Sequence, residues 1–312
     1  METGNRALNR TNTLLTEIFK NRYIYLLLIP GLAFYIIFCY FPMYGVTIAF
    51  KDYKANLGIF ASPFVGLQNY EYVFRDANFF KATFNTLIIS FQRIIFQFPV
   101  PIVLALFINE IRTSAYKRVL QTVYTLPHFL SWVIISGIII NLLENDGAVN
   151  NLMALLGFER QSFLGNAALF RPLLYISESW KSAGWTSIIY LAAIAGINFE
   201  QYESAIIDGA TRFQKMLYIT LPGIKNTIMV MFILAVGNVM NAGFDQIFNM
   251  YNPAVYDAAD ILDTYIYRIT FQSGADFGFS AAIGLFKSVI NFILLMAADR
   301  VAKMLGESGL FN

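Results

Sequence analysis

The most prominent feature of this sequence is a series of long segments with few or no charged residues. Six segments consist almost entirely of uncharged residues, and none of them contains more than two charged side chains. Each can cross a bilayer, because a hydrocarbon core about 30 Å thick needs about 20 apolar helical residues. The pattern predicts six membrane-spanning helices at about residues 23–50, 82–109, 119–143, 172–199, 226–244 and 277–298.

Prolines interrupt the first predicted helix. Pro30 is followed by Gly31, and Pro42 lies near the far end of the segment. Proline removes a backbone donor and clashes with the preceding turn, so we expect a kink or an early end of the helix. The segment is too long for the apolar part of a cleaved signal peptide and lacks a small-residue cleavage site. We therefore predict that it remains as the first span.

Positive charge is distributed unevenly between the two sides of the predicted bundle. Twelve Lys and Arg residues fall in the tails and in the connections after spans two and four, whereas the longer opposite connections carry seven. Cytoplasmic segments are enriched in Lys and Arg, so both termini are predicted to be cytoplasmic. The expected organisation is an N-terminal tail (1–22), one membrane domain (23–305) and a C-terminal tail (306–312).

The connection after the fourth span has a helical pattern of its own. Asn198 can cap a helix, with Gln201 at the third helical position. Apolar residues then recur at three- and four-residue spacing, and the other side is polar and acidic near its start. The pattern predicts an amphipathic helix that contains Gly209 and ends before Pro222. The acidic face and the glycine disfavour a lipid-surface helix, so it either docks another protein or packs on its own bundle.

Composition agrees with a membrane protein. Hydrophobic residues make up 57% of the 312 residues, charged residues only 13%, and the mean hydropathy is +0.55. A soluble domain carries about 25% charged residues. A soluble chain of this length could not bury so much apolar surface, so the solvent is predicted to be largely lipid. The net charge of +2 does not suggest a nucleic-acid partner.

Several kinds of chemistry are excluded by residue counts. Cys39 is the single cysteine and His128 the single histidine, which leaves no disulfide framework, no thiolate site and no histidine-based metal site. No glycine is followed by lysine, so the chain has no Walker A loop and cannot bind ATP by that route. If the chain does energised work, the energy must therefore come from elsewhere.

The inner connection also carries a recognisable motif. Glu203-Ser204-Ala205 is followed after three residues by Gly209 and after nine more by a segment ending in Leu221-Pro222. This spacing resembles the EAA loop of bacterial binding-protein-dependent ABC importer permeases. The match covers 20 residues, and Ser204 in place of alanine is its one departure. Residues 198–222 would then form the coupling loop. The ATPase-coupling residues that the resemblance implies are Glu203, Ser204, Ala205, Asp208, Gly209, Ala210, Ile219, Leu221 and Pro222.

Other segments extend the resemblance over most of the chain. Residues 98–101, 126–129 and 251–253 are similar to the LplB-like oligosaccharide and polysaccharide branch of these permeases. The resemblance implies an all-α membrane protein with the type I, MetI-like fold, which has six transmembrane helices and a cytoplasmic coupling helix. It also implies a multi-pass protein of the bacterial cytoplasmic membrane.

The same resemblance implies partners. A second homologous permease would form a heterodimer with this chain, two copies of an ATP-binding subunit would sit beneath the pair, and an extracytoplasmic sugar-binding protein would dock outside. ATP and Mg would be bound by the ATPase. The chain itself is therefore expected to bind no cofactor and no metal and to have no catalytic residue, with membrane lipid around it.

Charged, amide and aromatic side chains within the spans are candidates for the substrate path. Intramembrane charges usually face a cavity or a partner, and sugars bind to aromatic faces and polar side chains. Two alternatives remain open: aromatic residues near span ends anchor at the membrane interface, and Glu178 can pair with Lys181 on one helix face. The candidate path residues are Arg93, Trp180, Lys181, Trp185, Tyr190, Asn238, Asn241, Asp245 and Lys287.

The sequence thus predicts the permease subunit of an ABC importer for oligosaccharides, either neutral or acidic, that are derived from polysaccharides. A self-sufficient secondary transporter or channel for a polar solute is the alternative. The presence of only six spans and of a docking-type inner helix disfavours it.

Overall fold

Helices dominate the structure, a computed structural model. It describes residues 20–272, 274, 276–304, 306 and 309. Within these residues the one β feature is an isolated antiparallel bridge between Lys51 and Phe64. The all-helical class expected from the sequence is confirmed, while most of both predicted tails lies outside the described residues.

The first helical segment changes pitch twice. Helix α1 (Arg22–Phe34) continues as π-helical turns over Tyr35–Tyr40 and as 3-10 turns over Phe41–Phe50. The α-helix passes through Pro30 and ends at Phe34, before Pro42, so part of the predicted segment is not α-helical. The main packing contacts of the segment come from its 3-10 part, which lies against the last long helix of the chain.

The second predicted span consists of two helices in line. After the short helices α2 (Gly58–Ala61) and α3 (Gln68–Arg75), α4 runs over Ala77–Phe96 and α5 over Pro99–Asn109. Helix α4 begins five residues before the predicted boundary at residue 82. Asp76 explains this early start, because its side chain accepts from the Asn78 backbone N–H and caps the helix.

The third predicted span, 119–143, is not one helix. Helix α6 (Ser114–Thr125) ends in 3-10 turns, and Leu130 is extended. Helix α7 (Trp132–Leu143) then starts with Ser131 as its cap and is followed by α8 (Ala148–Leu155). The correction has a local cause, because Pro127 and a capping serine favour a new helix start within the apolar run.

The fourth predicted span, 172–199, corresponds to helix α9 (Ala167–Ala195), which starts earlier and ends earlier. Asn198 then caps helix α10 (Phe199–Ile207), which is bent by 72° from α9. The predicted amphipathic helix is therefore present, but it ends at Ile207 rather than beyond Gly209.

The rest of the chain forms shorter helices and one long one. The fifth predicted span, 226–244, ends as an α-helix at Gly237 and continues in 3-10 turns over Val239–Asn241, and the next α-helix begins only at Phe244. The elements are α11 (Arg212–Lys215), π-helical turns at Met216–Thr220, α12 (Leu221–Gly223), α13 (Lys225–Gly237), α14 (Phe244–Met250), α15 (Tyr256–Ala259), α16 (Leu262–Phe271) and α17 (Phe277–Met304).

Four helical segments are long and apolar enough to cross a membrane. Two bent pairs, α9 with α10 and α11–α12 with α13, raise the number to six if each pair counts as one span. The four segments are Arg22–Phe50, Ala77–Asn109, Trp132–Leu155 and Phe277–Met304.

Three buried clusters hold the bundle together. One joins α4, α9 and the α14–α15 region, a second joins α3, α4, α16 and α17, and a third joins α5, α9 and α13. Gly184 of α9 lies against the backbone of Tyr124 so closely that a Cβ atom would overlap its carbonyl oxygen. This close approach fixes α9 against α6 and makes α9 the central helix of the fold.

Candidate functional site

A polar cluster lies where α4, α9 and α14 meet. Arg93 of α4 donates through Nη2 to Oε1 of Gln246, and its Nη1 lies 4.0 Å from Oε2 of Glu178 on α9. Gln246 is fully buried, and its Nε2 donates to the Leu174 carbonyl oxygen and to Ser177 Oγ, both at 2.8 Å. The cluster therefore ties three helices together through one guanidinium and one amide.

The backbone at the start of α14 makes room for Arg93. Gly243 has φ +79°, and a Cβ atom there would overlap the guanidinium of Arg93. Ala242, with φ 42°, is the one residue other than glycine with positive φ in the described chain. Two left-handed residues in succession end the 3-10 turns of Val239–Asn241 and turn the chain beneath Arg93.

Two cavities, each of about 420 Å³, meet at this cluster. Arg93, Glu178, Asn241 and Gly243 line both. The first cavity extends between α4, α9 and α13, and the second extends to α7, α14 and α16. Polar residues that line only one cavity are Ser90, Gln97, Ser179, Ser182, Thr186 and Asn238 in the first and Asp245, Gln246 and Asp263 in the second.

The candidate path residues divide into two groups. Five line the cavities: Arg93, Tyr190, Asn238, Asn241 and Asp245. Four line neither: Trp180, Lys181, Trp185 and Lys287. The two tryptophans are about half exposed on the outside of α9, and Trp185 stacks on His128 with ring centroids 4.8 Å apart. The geometry thus places these four outside the cavities, with Lys287 bonded to Asp263 of the second cavity's lining.

Lys181 donates hydrogen bonds to backbone carbonyl groups at the break between α6 and α7. Its Nζ donates to the carbonyl oxygens of His128, at 2.9 Å, and Leu130, at 2.7 Å, and lies 5.8 Å from the ring centroid of Trp132. The alternative pairing of Lys181 with Glu178 is wrong, because Glu178 accepts from Ser182 Oγ and faces Arg93. Lys181 instead supplies the donors that two helix-end carbonyl groups need.

Lys287 of α17 forms an ion pair with Asp263 of α16. Its Nζ lies 2.6 Å and 2.8 Å from the two carboxylate oxygens. Arg268 holds the same helix by pairing with Asp260 and lying over the rings of Tyr256 and Tyr265. The hydrogen bond to Asp260 raises the pKa of Arg268.

Sequence reasoning missed Trp132 and Gln246. Both line the second cavity, together with Glu178, which the sequence treated only as a possible partner of Lys181. The one local signal was the position of Trp132 directly after a helix-capping serine. Within the described residues no group of three or more His, Cys, Asp or Glu side chains could hold a metal ion.

The EAA-like segment forms a second exposed site. Helix α10 ends at Ile207, and Gly209 has φ +76°, which lets the backbone N–H of Ala210 bond the Ala205 carbonyl oxygen at 2.8 Å. Thr211 and Gln214 then form a capping box that starts α11. Gly209 therefore forms the bend between two helices, and the amphipathic helix does not continue through it.

The surface of α10 is open. Glu203 is exposed and bonds no other side chain in the described chain, and Ile207 is 86% exposed. On the inner face the hydroxyls of Tyr202 and Thr220 lie 2.9 Å apart and join α10 to the π-helical turns. Of the other implied coupling residues, Ser204, Asp208, Gly209 and Pro222 are exposed, and Ala205, Ala210, Ile219 and Leu221 are half-buried. A helix whose inner face is bonded to the bundle and whose outer face is exposed is suited to docking another protein.

Comparison with known proteins identifies a family. Residues 97–306 match the model of the binding-protein-dependent transport system inner membrane component. Protein LplB of Bacillus subtilis (strain 168) is 44% identical over 293 residues, which cover 94% of this chain and 92% of LplB. The polygalacturonan/rhamnogalacturonan transport system permease protein YteP of the same organism is 41% identical, over 96% of this chain and 93% of YteP.

A solved structure agrees with the sequence relatives. A chain of a bacterial ABC transporter involved in the import of the acidic polysaccharide alginate superposes with a TM-score of 0.87 and 38% identity, over 95% of this chain and 100% of that one. A chain of the bacterial alginate ABC transporter in complex with an alginate pentasaccharide-bound periplasmic protein gives a TM-score of 0.86. The fold and the family therefore point to the same class of membrane protein.

Proposed function

This chain belongs to the binding-protein-dependent transport system inner membrane components, and on that premise we propose that it forms half of the path through which an ABC importer takes up oligosaccharides. Polygalacturonan, rhamnogalacturonan and alginate appear in the names of its relatives and structural neighbours. These names support the proposal that the substrates are oligosaccharides that contain uronate residues. The alternative of a self-sufficient transporter or channel finds no support among these relatives.

The observation that carries the proposal is the junction of the two cavities. Amide and carboxylate groups of Asn238, Asn241 and Asp245 can bond sugar hydroxyls. Trp132 adds an aromatic ring, which suits the apolar face of a pyranose. Such a mixture of a few polar groups and one ring is typical of a carbohydrate site.

Arg93 is the residue that supports an acidic substrate. It is the one cation that lines either cavity in the described chain; Lys181 bonds backbone carbonyl oxygens, and Lys287 is paired with Asp263. Its contact with Glu178 is long, at 4.0 Å, and its Nε is buried without a partner. Arg93 therefore has donor capacity to offer a carboxylate, and a charge-assisted hydrogen bond of this kind contributes about 1.5–3 kcal/mol.

Transport would be driven from the exposed face of α10. In this proposal two copies of a separate ATPase, which bind ATP and Mg, receive α10 in a surface groove, and a second homologous permease completes the path. An extracytoplasmic sugar-binding protein delivers the substrate. The open outer face of α10 and its anchored inner face support this arrangement. The chain itself catalyses no reaction, crosses the bacterial cytoplasmic membrane six times and has both termini inside.

The test compares substrates and one cavity residue. The complex, reconstituted with its binding protein, should hydrolyse ATP faster with uronate oligosaccharides than with neutral ones of equal length. Arg93→Gln should reduce this preference by about tenfold or more, because one charge-assisted bond is lost. Arg118→Gln, which removes an exposed cation outside both cavities, should leave the preference unchanged. Equal stimulation by neutral and acidic sugars in the wild type would contradict the substrate class.

A further inference from the structure

A third cavity, of about 580 Å³, lies beneath α10. It is lined by the turn after α5, the end of α9 and the segments around α10 and α11. Because α10 is bent by 72° from α9, one side of α10 covers this cavity. The cavity is distinct from the two at Arg93, with which it shares no lining residue.

Three cations line this cavity. Arg112 follows α5, Arg212 begins α11 and Lys215 ends it. Their charged groups make no hydrogen bond or ion pair with another residue of the described chain, and Glu110 is the one acid in the lining. The site therefore carries an excess of two positive charges with free donors, which suits an anion with several acceptor oxygens.

Most of the remaining lining is apolar, with Asn109 and Tyr202 as its other polar residues. Ile111, Ile194, Ile197, Phe199 and Ile206 face the same space, at the ends of two helices that would span the membrane. A free inorganic anion would gain nothing from these side chains. An amphiphile with an anionic head and a hydrocarbon tail would satisfy both halves of the cavity at once.

We propose that this cavity binds the phosphate-bearing headgroup of an anionic phospholipid from the cytoplasmic leaflet, with the start of an acyl chain against the isoleucines. The inference rests on the proposed function only for the cytoplasmic position of α10. A lipid bound here would lie directly between the membrane and α10. The lipid would hold α10 at a fixed angle to the spans.

The experiment measures retained lipid on the intact complex. Native mass spectrometry of the detergent-purified complex, with no substrate or ATP present, should show phosphatidylglycerol retained in preference to phosphatidylcholine. Replacement of Arg112, Arg212 and Lys215 by glutamine should reduce retention, by about fivefold for each cation removed. The matched control replaces Lys117, Arg118 and Arg300, cations that do not line the cavity, and should retain as much lipid as the wild type.

The outcomes separate the lipid from other anions and from the proposed function. Equal retention by the triple variant and the wild type would overturn the site. Thermal stabilisation of the wild type by inorganic phosphate as large as that by phosphatidylglycerol would overturn the lipid as its occupant. Since the readout needs no transport, a failure of the oligosaccharide assignment would leave these results unaffected.

Discussion

At the scale of single residues, the structure turns on side chains whose partners come from other helices. Arg93 and Lys287 have no partner that their sequence positions identify, and Lys181 has only Glu178 on its own helix, yet each meets an acceptor on a different element. Periodicity shows which residues share one helix face, so it suggested that Lys181 pairs with Glu178. It cannot show that the break after Phe129 leaves carbonyl oxygens beside Lys181.

Gly243 gives the first prediction at this scale. Gly243→Ala places a Cβ atom against the Arg93 guanidinium and forces alanine to positive φ. We expect the free energy of unfolding to fall by about 1–3 kcal/mol from the backbone strain, with a further loss from displacement of Arg93. Thermal denaturation of the purified complex measures this. Gly137→Ala, where a Cβ atom meets open space at ordinary φ, should be neutral or stabilising; equal effects of both changes would contradict the close approach.

Lys181 gives the second prediction. Lys181→Met keeps the length of the side chain but removes both donors to the α6–α7 break. The two carbonyl groups would then lie in an apolar surrounding at a cost of about 1–3 kcal/mol each. The midpoint of thermal unfolding should fall clearly. It should change little for Arg118→Met, which alters an exposed side chain; an unchanged midpoint in Lys181→Met would show that other donors satisfy the break.

At the scale of helices, composition predicted that each helix exists better than it predicted where the helix begins and ends. Every predicted span contains a helix, but 119–143 is interrupted and 226–244 is shortened. Hydropathy cannot detect either change, because the residues remain apolar through the interruption. Pro127 and Ser131 were readable signals of the first. The second begins at Gly237 and is followed by positive φ at Ala242 and Gly243, which no local pattern around an alanine predicts.

The bend after α10 gives a prediction that separates two roles of Gly209. Gly209 has φ +76° and open space around it within the chain. Gly209→Leu should keep the protein in the membrane but remove transport and stimulated ATP hydrolysis. Gly209→Asn should retain much of both, because asparagine adopts the left-handed conformation readily. Equal losses in both variants would indicate that a partner surface, rather than the backbone angle, excludes side chains there. Wild-type coupling in Gly209→Leu would remove the docking role.

At the scale of the whole molecule, the prediction concerns sidedness. In a Cys39→Ser background, a cysteine at Ser114, the first residue of α6, should be inaccessible to an impermeant thiol reagent in intact cells. A cysteine at Ser162, in the exposed connection between α8 and α9, should react. The excess of Lys and Arg on one side is the physical reason. Labelling at Ser114 without permeabilisation would reverse the orientation.

The cavity site was less predictable from the sequence than the fold, because its residues come from helices that are far apart along the chain. The EAA-like motif lies within one continuous segment, so spacing alone located it. The cavity junction gathers residues from α4, α7, α9, α14 and α16, which no single stretch of sequence brings together. The search for polar residues within the spans correctly found Arg93, Asn238 and Asn241, which line the cavities. The two tryptophans of α9 line neither cavity, because composition does not show which side of a helix an aromatic residue faces.

The change of pitch in the first helical segment has a consequence for how the protein meets the bilayer. Its 29 residues would extend about 44 Å as a plain α-helix, and the ten 3-10 residues add about 5 Å more. The hydrocarbon layer is about 30 Å thick, and spans tilt by at most about 40°. Tilt alone cannot absorb this mismatch within the hydrocarbon layer, so one end of a membrane-crossing segment would lie among the headgroups. Lys51, bonded to the Ile59 carbonyl oxygen at 2.6 Å, holds the 3-10 end against α2. In a membrane-crossing segment, this bond would hold the 3-10 end at headgroup level rather than within the hydrocarbon.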